Sequence, residues 1–466
     1  MASTGLSYKE MQALEEDYTF FSYEETRALE EDHIFLPLTT PSKRKISGAL
    51  LSPPASQGSG SLSSSSSSPA SVSYKSFNSS TNFTLDLPQS AVSVAALEFI
   101  GFTTQTADEI FARFTSRPNP VNNPDELIDY VYGHIRILTT EAYQHYATEQ
   151  AMAQIGLTQQ VQDAITDPRF STILGTKTLY FWVKDTLRIN YLTLIQLQRR
   201  LKNHATRSLA KKKAKRPKIE DVFQPAASLS TEQKPQTATL NMTPQDHNLP
   251  KHYVTVQHAS PVLQDHYVLY KARAAAEMGE LQWICDDGSL EMNAIASYAG
   301  GDFNHQNPAW YWTPEAETAE EYRAWAARRC PYSDTWVIRI QIPEIFINGL
   351  GQQDLWYSQD WKEYVWYCKK KMRPPPKYDS YWKAGGADLI KGHICTGVSA
   401  SVTRIKKEEV QTKMSEENLL TVSSGKATQW AFMQDGCVER LGREIRGKIH
   451  IEITAAEQAQ EKISSQ

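Results

Sequence analysis

The stretch from Trp310 to Arg329 reads WYWTPEAETAEEYRAWAARR and contains an abrupt change of period. Its first three residues are large aromatics, which favour a short strand that enters a turn at Thr313 and Pro314. The residues that follow are rich in Ala and Glu and predict a helix over Glu315 to Arg329, with Thr313 as a candidate N-cap. A strand that leads into a helix indicates a domain of mixed α and β structure.

Strands and helices alternate irregularly on both sides of this stretch. Strict apolar alternation predicts a strand over 336–342, and a helix is predicted over 360–371. Short apolar runs predict further strands at 267–270, 387–395, 428–432 and 448–453. The irregular order favours the α+β class over a doubly wound sheet.

The tryptophans mark the extent of this domain. Ten of the 11 stand at or after Trp283, and Trp182 is the exception. Because large aromatic side chains fill packed cores, the skew predicts a folded domain with an aromatic-rich interior at 253–456.

Length and composition predict two ordered domains joined by linkers. The chain has 466 residues, 22% of them charged, a net charge of -4 and a mean hydropathy of -0.49. Its five cysteines form no CxxC pair, which predicts reduced thiols in an intracellular protein without a zinc site. No secretory signal or long apolar run occurs, so we expect a nuclear or cytoplasmic protein that does not associate with membranes.

Residues 1–89 are predicted to be disordered. An acidic repeat at 7–17 and 22–32 is followed by a Ser/Pro-rich segment that includes an uninterrupted serine run from Ser63 to Ser68. Such a composition has too few apolar residues to offset chain entropy. The repeat is either a partner-binding stretch or a solvated acidic tail.

Between residues 90 and 203 the apolar spacing is helical, which predicts a small all-α module. A basic and polar linker is predicted at 204–252, and a disordered tail at 457–466. The segment 199–218 contains ten Lys and Arg residues and no acidic one. It predicts a nuclear-localisation signal, with a nucleic-acid contact and an inert solvated stretch as alternatives. The signal residues are Lys211, Lys212, Lys213, Lys215, Arg216 and Lys218.

The C-terminal domain lacks the common enzymatic signatures. It has no G-x-G-x-x-G, P-loop, H-E-x-x-H or G-x-S-x-G motif. His393 and Cys395 lie two positions apart on a predicted strand and form a conceivable dyad. A structural role is the more economical interpretation, because no orienting acid follows them.

Six short motifs occur in the order seen in one family. They are Leu269-Tyr-Lys-Ala-Arg273, Gly300-Gly-Asp-Phe303 with Trp310-Tyr-Trp-Thr-Pro314, Thr318-Ala-Glu-Glu-Tyr-Arg-Ala-Trp-Ala326, Asp360-Trp-Lys-Glu-Tyr-Val365, Asp388-Leu-Ile-Lys-Gly-His-Ile394, and Gln429-Trp-Ala-Phe432 with Cys437-Val-Glu-Arg-Leu441. In this succession residues 253–455 resemble a divergent ADP-ribosyltransferase-like domain. The resemblance implies a split pair of antiparallel sheets enclosing a cleft for NAD.

The resemblance also implies roles for individual residues. Gln429 stands where active members carry a catalytic glutamate, and Lys271 stands where a His or Arg holds the adenosine ribose. Tyr311 matches the aromatic that stacks on nicotinamide, although one more core aromatic is an equally good interpretation. The implied cofactor-binding positions are Tyr270, Lys271, Arg273, Tyr311 and Thr313. Trp310 and Trp312 are candidates for lining the same cleft.

Two of the three signature positions depart from the active pattern. Gln429 carries no charge to stabilise a ribosyl cation, so we expect NAD-dependent transfer to be weak or lost, leaving a module that binds a nucleotide or a protein. An acidic run could compensate, from Glu408, Glu409, Glu416 or Glu417. The alternatives from other classes are a single-strand nucleic-acid binder that uses 199–218 and a nuclear scaffold that recruits protein partners.

Overall fold

The structure is a computed structural model that describes residues 21–37, 42–47, 70–74, 84–118, 124–140, 148–215, 254–256, 258–278, 283–285, 289–397 and 402–456. The predicted tail at 457–466 lies outside these residues, as do Ser63 to Ser68, Arg216 and Lys218. The predicted linker at 204–252 lies outside them from residue 216 onward.

The described strands are short, with two to nine residues each. In chain order they are β1 Lys43–Ser47, β2 Ala70–Tyr74, β3 Thr84–Pro88, β4 Val254–Val256, β5 His266–Ala274, β6 Trp310–Trp312, β7 Thr335–Pro343, β8 Gln352–Leu355, β9 Leu389–His393, β10 Thr421–Val422, β11 Gly425–Lys426, β12 Thr428–Phe432 and β13 Ile449–Thr454.

Several helices begin at a Ser or Thr whose side chain accepts a backbone N–H, as Ser358 does from Trp361 at 3.1 Å. The described α-helices are α1 Tyr23–Glu31, α2 Val94–Ile100, α3 Thr104–Thr115, α4 Leu127–Ile135, α5 Thr148–Gln154, α6 Gln159–Ile165, α7 Ser171–Leu174, α8 Leu179–Lys215, α9 Ala316–Arg329, α10 Glu344–Asn348, α11 Gln359–Lys369, α12 Asp379–Trp382, α13 Val410–Lys413 and α14 Asp435–Glu444.

The chain divides into two units. The first unit comprises Met1–Gly60, Asn78–Tyr130 and Tyr191–Met242, and the second comprises Ser61–Phe77, Val131–Asn190 and Thr243–Gln466. The helix α8 passes from the second unit into the first at Tyr191. The predicted all-α module at 90–203 is therefore shared between two units rather than forming one of its own.

In the first unit, parts of the segment predicted to be disordered are ordered. The helix α1 opens with a capping box between Ser22 and Glu25, and β1 pairs antiparallel with β3, burying Leu85 and Leu87. The prediction of disorder over 1–89 is wrong for these residues, because caps and strand pairing over a distance offset the low apolar content. The predicted linker also begins too early, since α8 continues to Lys215 and Lys212 Nζ pairs with Glu31 at 2.6 Å.

The second unit contains two larger sheets. A five-stranded sheet has the order β4-β2-β13-β7-β5, and a four-stranded sheet has the order β6-β12-β9-β8. The two sheets meet where Tyr270 of β5 and Thr313, just after β6, exchange backbone hydrogen bonds. Mixed helices and small sheets are consistent with the predicted α+β class.

The resemblance implied antiparallel sheets, whereas both larger sheets contain antiparallel and parallel pairs. The pairs β13–β2, β2–β4 and β8–β9 are parallel. A parallel partner arrives by a long connection, and its direction leaves no local mark on the strand sequence. The strand β2 was itself expected to be disordered, but it pairs with β13 and buries Ala70 and Val72.

Tryptophans hold the core of the second unit, as their distribution predicts. Trp283, Trp310 and Trp336 belong to a cluster with the isoleucines of β7 and β13, and each is almost completely buried. Such large rings contribute most of the apolar area removed from water. The fixed core positions the ends of β5, β6 and β12, where the candidate site lies.

Candidate functional site

A cavity of about 230 Å³ lies within the second unit. Its walls come from β5, β6, β12, α9, the end of α11 and the first turns of α8. All six residues that the sequence resemblance assigned to the site line it, namely Tyr270, Lys271, Arg273, Tyr311, Thr313 and Gln429. Of the two candidate tryptophans, Trp312 lines the cavity, whereas Trp310 is not among the lining residues.

The strand β5 places Lys271 and Arg273 on one face. Lys271 is buried, and its Nζ donates to the backbone oxygen of Tyr311 at 2.8 Å and lies 5.8 Å from the ring centroid of Trp312. Arg273 donates to the oxygen of Ile295 at 3.2 Å, and its guanidinium lies 3.6 Å from the carboxylate of Glu277. The alternation of the strand thus brings two cations to the same wall.

Tyr311 is held by its hydroxyl group. The oxygen accepts the backbone N–H of Phe303 at 2.8 Å and the hydroxyl donates to Asn304 Oδ1 at 2.9 Å. A Cβ on Gly301 would overlap both Asn304 and Tyr311, so only glycine fits there. Burial raises the pKa of the Tyr311 phenol, which therefore stays protonated.

Thr313 does not cap the following helix. The helix α9 begins at Ala316 with Glu315 as its N-cap residue, and Thr313 Oγ1 donates to the Glu315 carboxylate. The same carboxylate accepts the backbone N–H of Thr428 at 3.2 Å. The prediction of Thr313 as N-cap is wrong because Glu315 instead links the end of β6 to the start of β12.

Gln429 meets a buried carboxylate that sequence reasoning left without a role. Its Nε2 donates to Asp302 Oδ2 at 2.6 Å, and the same oxygen accepts the backbone N–H of Cys395 at 2.7 Å. Lys369 forms an ion pair with the other oxygen, and its Nζ also donates to Thr176 at 2.8 Å. We call Asp302, Lys369 and Gln429 the Asp302 cluster. Asp302 stood within a quoted motif, but Lys369 carried no sequence signal.

Residues from the predicted helical module form one wall of the cavity. Lys177 Nζ donates to the oxygen of Gly300 at 2.9 Å, and Asp185 pairs with Arg329 of α9 at 3.0 Å. The ring of Trp182 lies 4.4 Å from that of Trp325 between centroids. Since these contacts join positions far apart in the chain, local sequence patterns could not have assigned them to the site.

Five cations and three carboxylates line the cavity. Asp302 pairs with Lys369, Asp185 with Arg329, and Glu277 with Arg273. Lys177 and Lys271 form no ion pair with any described residue and donate only to backbone oxygens. We call these two the unpaired lysines. The lining therefore carries a formal charge of +2 when every group is ionised.

Burial shifts the protonation of these groups. Desolvation, assisted by Lys369 and Lys371 and opposed by Asp302, lowers the pKa of Lys177 to about 7. Desolvation and the neighbouring Arg273 lower the pKa of Lys271 well below its usual value. Burial also raises the pKa of Glu277. An amine in a dry site holds its proton less firmly, and an anion placed beside it would restore the charge.

Four buried polar atoms at the cavity have no hydrogen-bond partner among the described residues. They are Arg273 Nε, Arg329 Nε, Trp312 Nε1 and Thr318 Oγ1. Leaving a buried donor unpaired costs about 1–3 kcal/mol. All four can donate, so the wall is chemically suited to a ligand rich in hydrogen-bond acceptors.

The glutamates at 408–417, His393 and Cys395 are not among the residues that line the cavity. Glu409 and Glu416 pair with the exposed lysines Lys413 and Lys426, and none of the four glutamates at 408–417 lines the cavity. The suggestion that they compensate for Gln429 is therefore wrong in this arrangement. His393 Nδ1 accepts the backbone N–H of Tyr357 at 3.1 Å, while Cys395 Sγ donates to Thr396. They form no dyad, and burial raises the pKa of the Cys395 thiol.

The predicted import signal lies on the last turns of α8. Its residues Lys211, Lys212 and Lys213 are exposed, and Lys215 ends that helix.

In the described part of the chain no helix has the length and apolarity to cross a lipid bilayer. Nor do the described His, Cys, Asp and Glu side chains form a group of three that could hold a metal ion.

Comparisons of the sequence with protein families and curated proteins, and of the structure with solved structures, found no match.

Proposed function

We propose that the second unit binds an anionic nucleotide of the NAD class and transfers ADP-ribose weakly or not at all. The observation that carries the proposal is convergence: six positions chosen from a sequence resemblance, spread over 160 residues, line one cavity. The six positions come from three segments, 270–273, 311–313 and 429, which the fold brings together at one cavity. The ADP-ribosyltransferase-like assignment remains part of the proposal.

The charge of the cavity supports an anionic ligand. The residues that line the cavity include the two unpaired lysines and carry four buried polar atoms without a described partner, and each lining carboxylate is held by a cation. A diphosphate supplies negative charge and several acceptor oxygens, and ribose hydroxyls supply more acceptors. Tyr311 offers an aromatic surface beside them, as a nucleotide base or nicotinamide requires.

The size of the cavity restricts what it encloses. Pockets that enclose whole drug-sized ligands measure about 300–1,000 Å³, and this cavity measures about 230 Å³. It therefore takes part of a dinucleotide, and the remainder lies outside unless the wall formed by α8 moves. ADP-ribose, AMP and nicotinamide are the fragments that distinguish which part enters.

The Asp302 cluster explains why transfer is weak. A ribosyl cation needs nearby negative charge that is free to stabilise it. Asp302 is the carboxylate in contact with Gln429, but Lys369 neutralises it and two N–H donors occupy it. The Asp302–Lys369 ion pair thus holds the cavity wall in place and does not stabilise a developing cation.

Calorimetry on the full-length protein tests binding, with NAD, ADP-ribose, AMP and nicotinamide as ligands. We expect ADP-ribose or NAD to bind, and AMP or nicotinamide to bind more weakly. The matched control is Lys377→Met, which removes an exposed lysine paired with Asp360 outside the cavity and should leave the affinity unchanged. Absence of binding by all four ligands to folded protein would refute the nucleotide site.

Labelled NAD with a mixture of acceptor proteins tests transfer. We expect no label above the background of heat-treated protein. Robust labelling that disappears in Gln429→Ala would overturn the inactive assignment, because it would require Gln429 to act in the reaction.

We also propose that the protein is nuclear, with the basic end of α8 as its import signal. The exposure of Lys211, Lys212 and Lys213 supports this, since a receptor must reach them. A fluorescent fusion should leave the nucleus when these three become Ser, whereas changing Lys370, Lys371 and Arg373 should not move it. Steeply salt-dependent binding to oligonucleotides that is lost with the same change would instead favour the nucleic-acid alternative.

A further inference from the structure

Lys177 differs from the other lysines that line the cavity. It stands in the short connection between α7 and α8, and its Nζ donates to the oxygen of Gly300 at 2.9 Å. Lys177 as a whole residue is partly exposed although its amine is desolvated, whereas Lys271 and Lys369 are buried. A small molecule that reached the cavity could therefore approach this amine with less displacement of protein atoms than the other two.

The groups around Lys177 disfavour a proton on its amine. Desolvation and the charges of Lys369 and Lys371 disfavour the charged form, whereas the face of the Phe181 ring, 5.4 Å from Nζ, favours it weakly. Asp302 attracts the charged form but is already bonded to Lys369, Gln429 and Cys395. With a pKa of about 7, about half of the amine is neutral at pH 7. An ordinary lysine is neutral to roughly 0.04% at that pH.

We propose that Lys177 is a nucleophilic amine that forms an imine with an aldehyde or ketone bearing an anionic group. A cationic cavity selects the anionic group, and a desolvated amine beside other cations is the arrangement that activates lysine toward carbonyl carbon. This inference rests on the proposed function only in that both use the same cavity. It concerns sugar phosphates and related carbonyl compounds as a ligand class, whether or not NAD binds.

The step balances without an oxidant or reductant. The nitrogen lone pair attacks the carbonyl carbon, and a C–N bond forms as the C–O π bond breaks. The two hydrogens of the neutral amine leave with the carbonyl oxygen as water. Protonation of the imine from solvent then restores a positive charge at Lys177, which the anionic group of the ligand compensates.

Pyridoxal 5′-phosphate is the probe, because it carries both an aldehyde and a phosphate. The full-length protein is incubated with it at substoichiometric concentration, reduced with borohydride and digested, and the labelled lysines are identified by mass spectrometry. We expect Lys177 to be labelled at least about tenfold faster than Lys371, the nearby exposed lysine. The labelling rate at Lys177 should rise with pH, with a midpoint near 7.

Two variants separate reactivity from folding. Lys177→Arg should lose the adduct while keeping the circular dichroism spectrum, and Lys371→Arg should keep the adduct. Excess inorganic phosphate should slow labelling, because it competes for the cationic wall. Labelling spread evenly over exposed lysines, or an unlabelled Lys177 in folded protein, would overturn the proposal, including when Lys177→Arg itself fails to fold.

The same preparations distinguish the two proposals. Selective labelling of Lys177 without any binding of NAD or ADP-ribose would support the imine site and refute the nucleotide site. Binding of NAD to protein in which Lys177 is inert would do the reverse.

Discussion

Asp302 and Lys271 line the same cavity, but their charged groups have different partners. Asp302 is surrounded by an ammonium group, an amide and a backbone N–H. Lys271 is also buried, but it meets only a backbone oxygen and the face of an indole. A buried charge with partners joins elements of the fold, whereas one without partners favours the arrival of a counter-ion. The comparison separates residues that build the cavity from residues that we propose to bind a ligand within it.

Removing the Asp302 carboxylate should have the largest effect. Asp302→Asn leaves Lys369 buried without its counter-ion, and we expect a loss of about 3–5 kcal/mol in the free energy of unfolding. Urea denaturation followed by tryptophan fluorescence measures it. The control Asp360→Asn breaks a pair whose side chains are 57% and 53% exposed and should cost less than about 1 kcal/mol. Equal losses of unfolding free energy in Asp302→Asn and Asp360→Asn would contradict the structural role assigned to the Asp302 charge.

Removing the Lys271 amine should affect binding more than stability. Lys271→Met keeps the apolar stem and deletes a charge without an ion-pair partner, so the free energy of unfolding should change little. The affinity for ADP-ribose should fall at least about tenfold, because a charged donor is lost. Calorimetry and thermal unfolding of the same sample test both parts. Severe destabilisation with unchanged affinity would place Lys271 among the structural residues.

Asp167 is another buried carboxylate with charged partners, and it is not among the residues that line the cavity. It bonds Arg169 and Arg328, and the side-chain hydrogen bond from Arg169 is the main reason that its pKa falls to about 2. Because the folded pKa lies below the unfolded value, the stabilisation is present above about pH 4 and is lost as the pH falls toward 2. We expect Asp167→Asn to cost about 1 kcal/mol at pH 7 and much less at pH 2. A pH-independent cost would contradict the ion-pair interpretation.

The unpaired lysines should couple binding to proton uptake. The pKa of Lys177 in the folded protein is about 7, and an anionic ligand raises it, so affinity should fall a few-fold as the pH rises from about 6 to 8.5. Without ligand, the unfolded chain binds more protons than the folded chain between pH 7 and 10.5, so Lys177 makes stability rise with pH across that window. Calorimetry in buffers of different ionisation enthalpy measures the uptake. Binding without proton uptake would show that the lysines are already charged in the free protein.

Local patterns predicted the regular elements well. The alternation at 336–342 corresponds to β7, Thr335–Pro343, and the helix expected over 360–371 corresponds to α11, Gln359–Lys369. The tryptophan skew identified the core because rings such as Trp336 are buried by the strands that carry them. Period and composition act over a few residues, and these elements depend on little else.

The missing parts of the site depend on distant pairing. Lys369 reaches Asp302 across 67 positions and Thr176 across 193, and neither contact alters the sequence period nearby. The helical wall was assigned to a separate module because its apolar spacing indicates a helix but not the surface against which that helix packs. The sequence indicates only that Gln429 replaces the glutamate of the resembling family. That Gln429 donates to the carboxylate of Asp302 is a feature of the fold.

The insertion of β2 between β13 and β4 has a consequence for how the protein is made. Ser71 and Ile449 are 378 positions apart in the chain and lie side by side in the five-stranded sheet. At a synthesis rate of about 5–20 residues per second, roughly 20–75 s pass between the emergence of the two strands from the ribosome. During that interval the β2 strand lacks its partner β13, and the five-stranded sheet can close only after β13 has emerged.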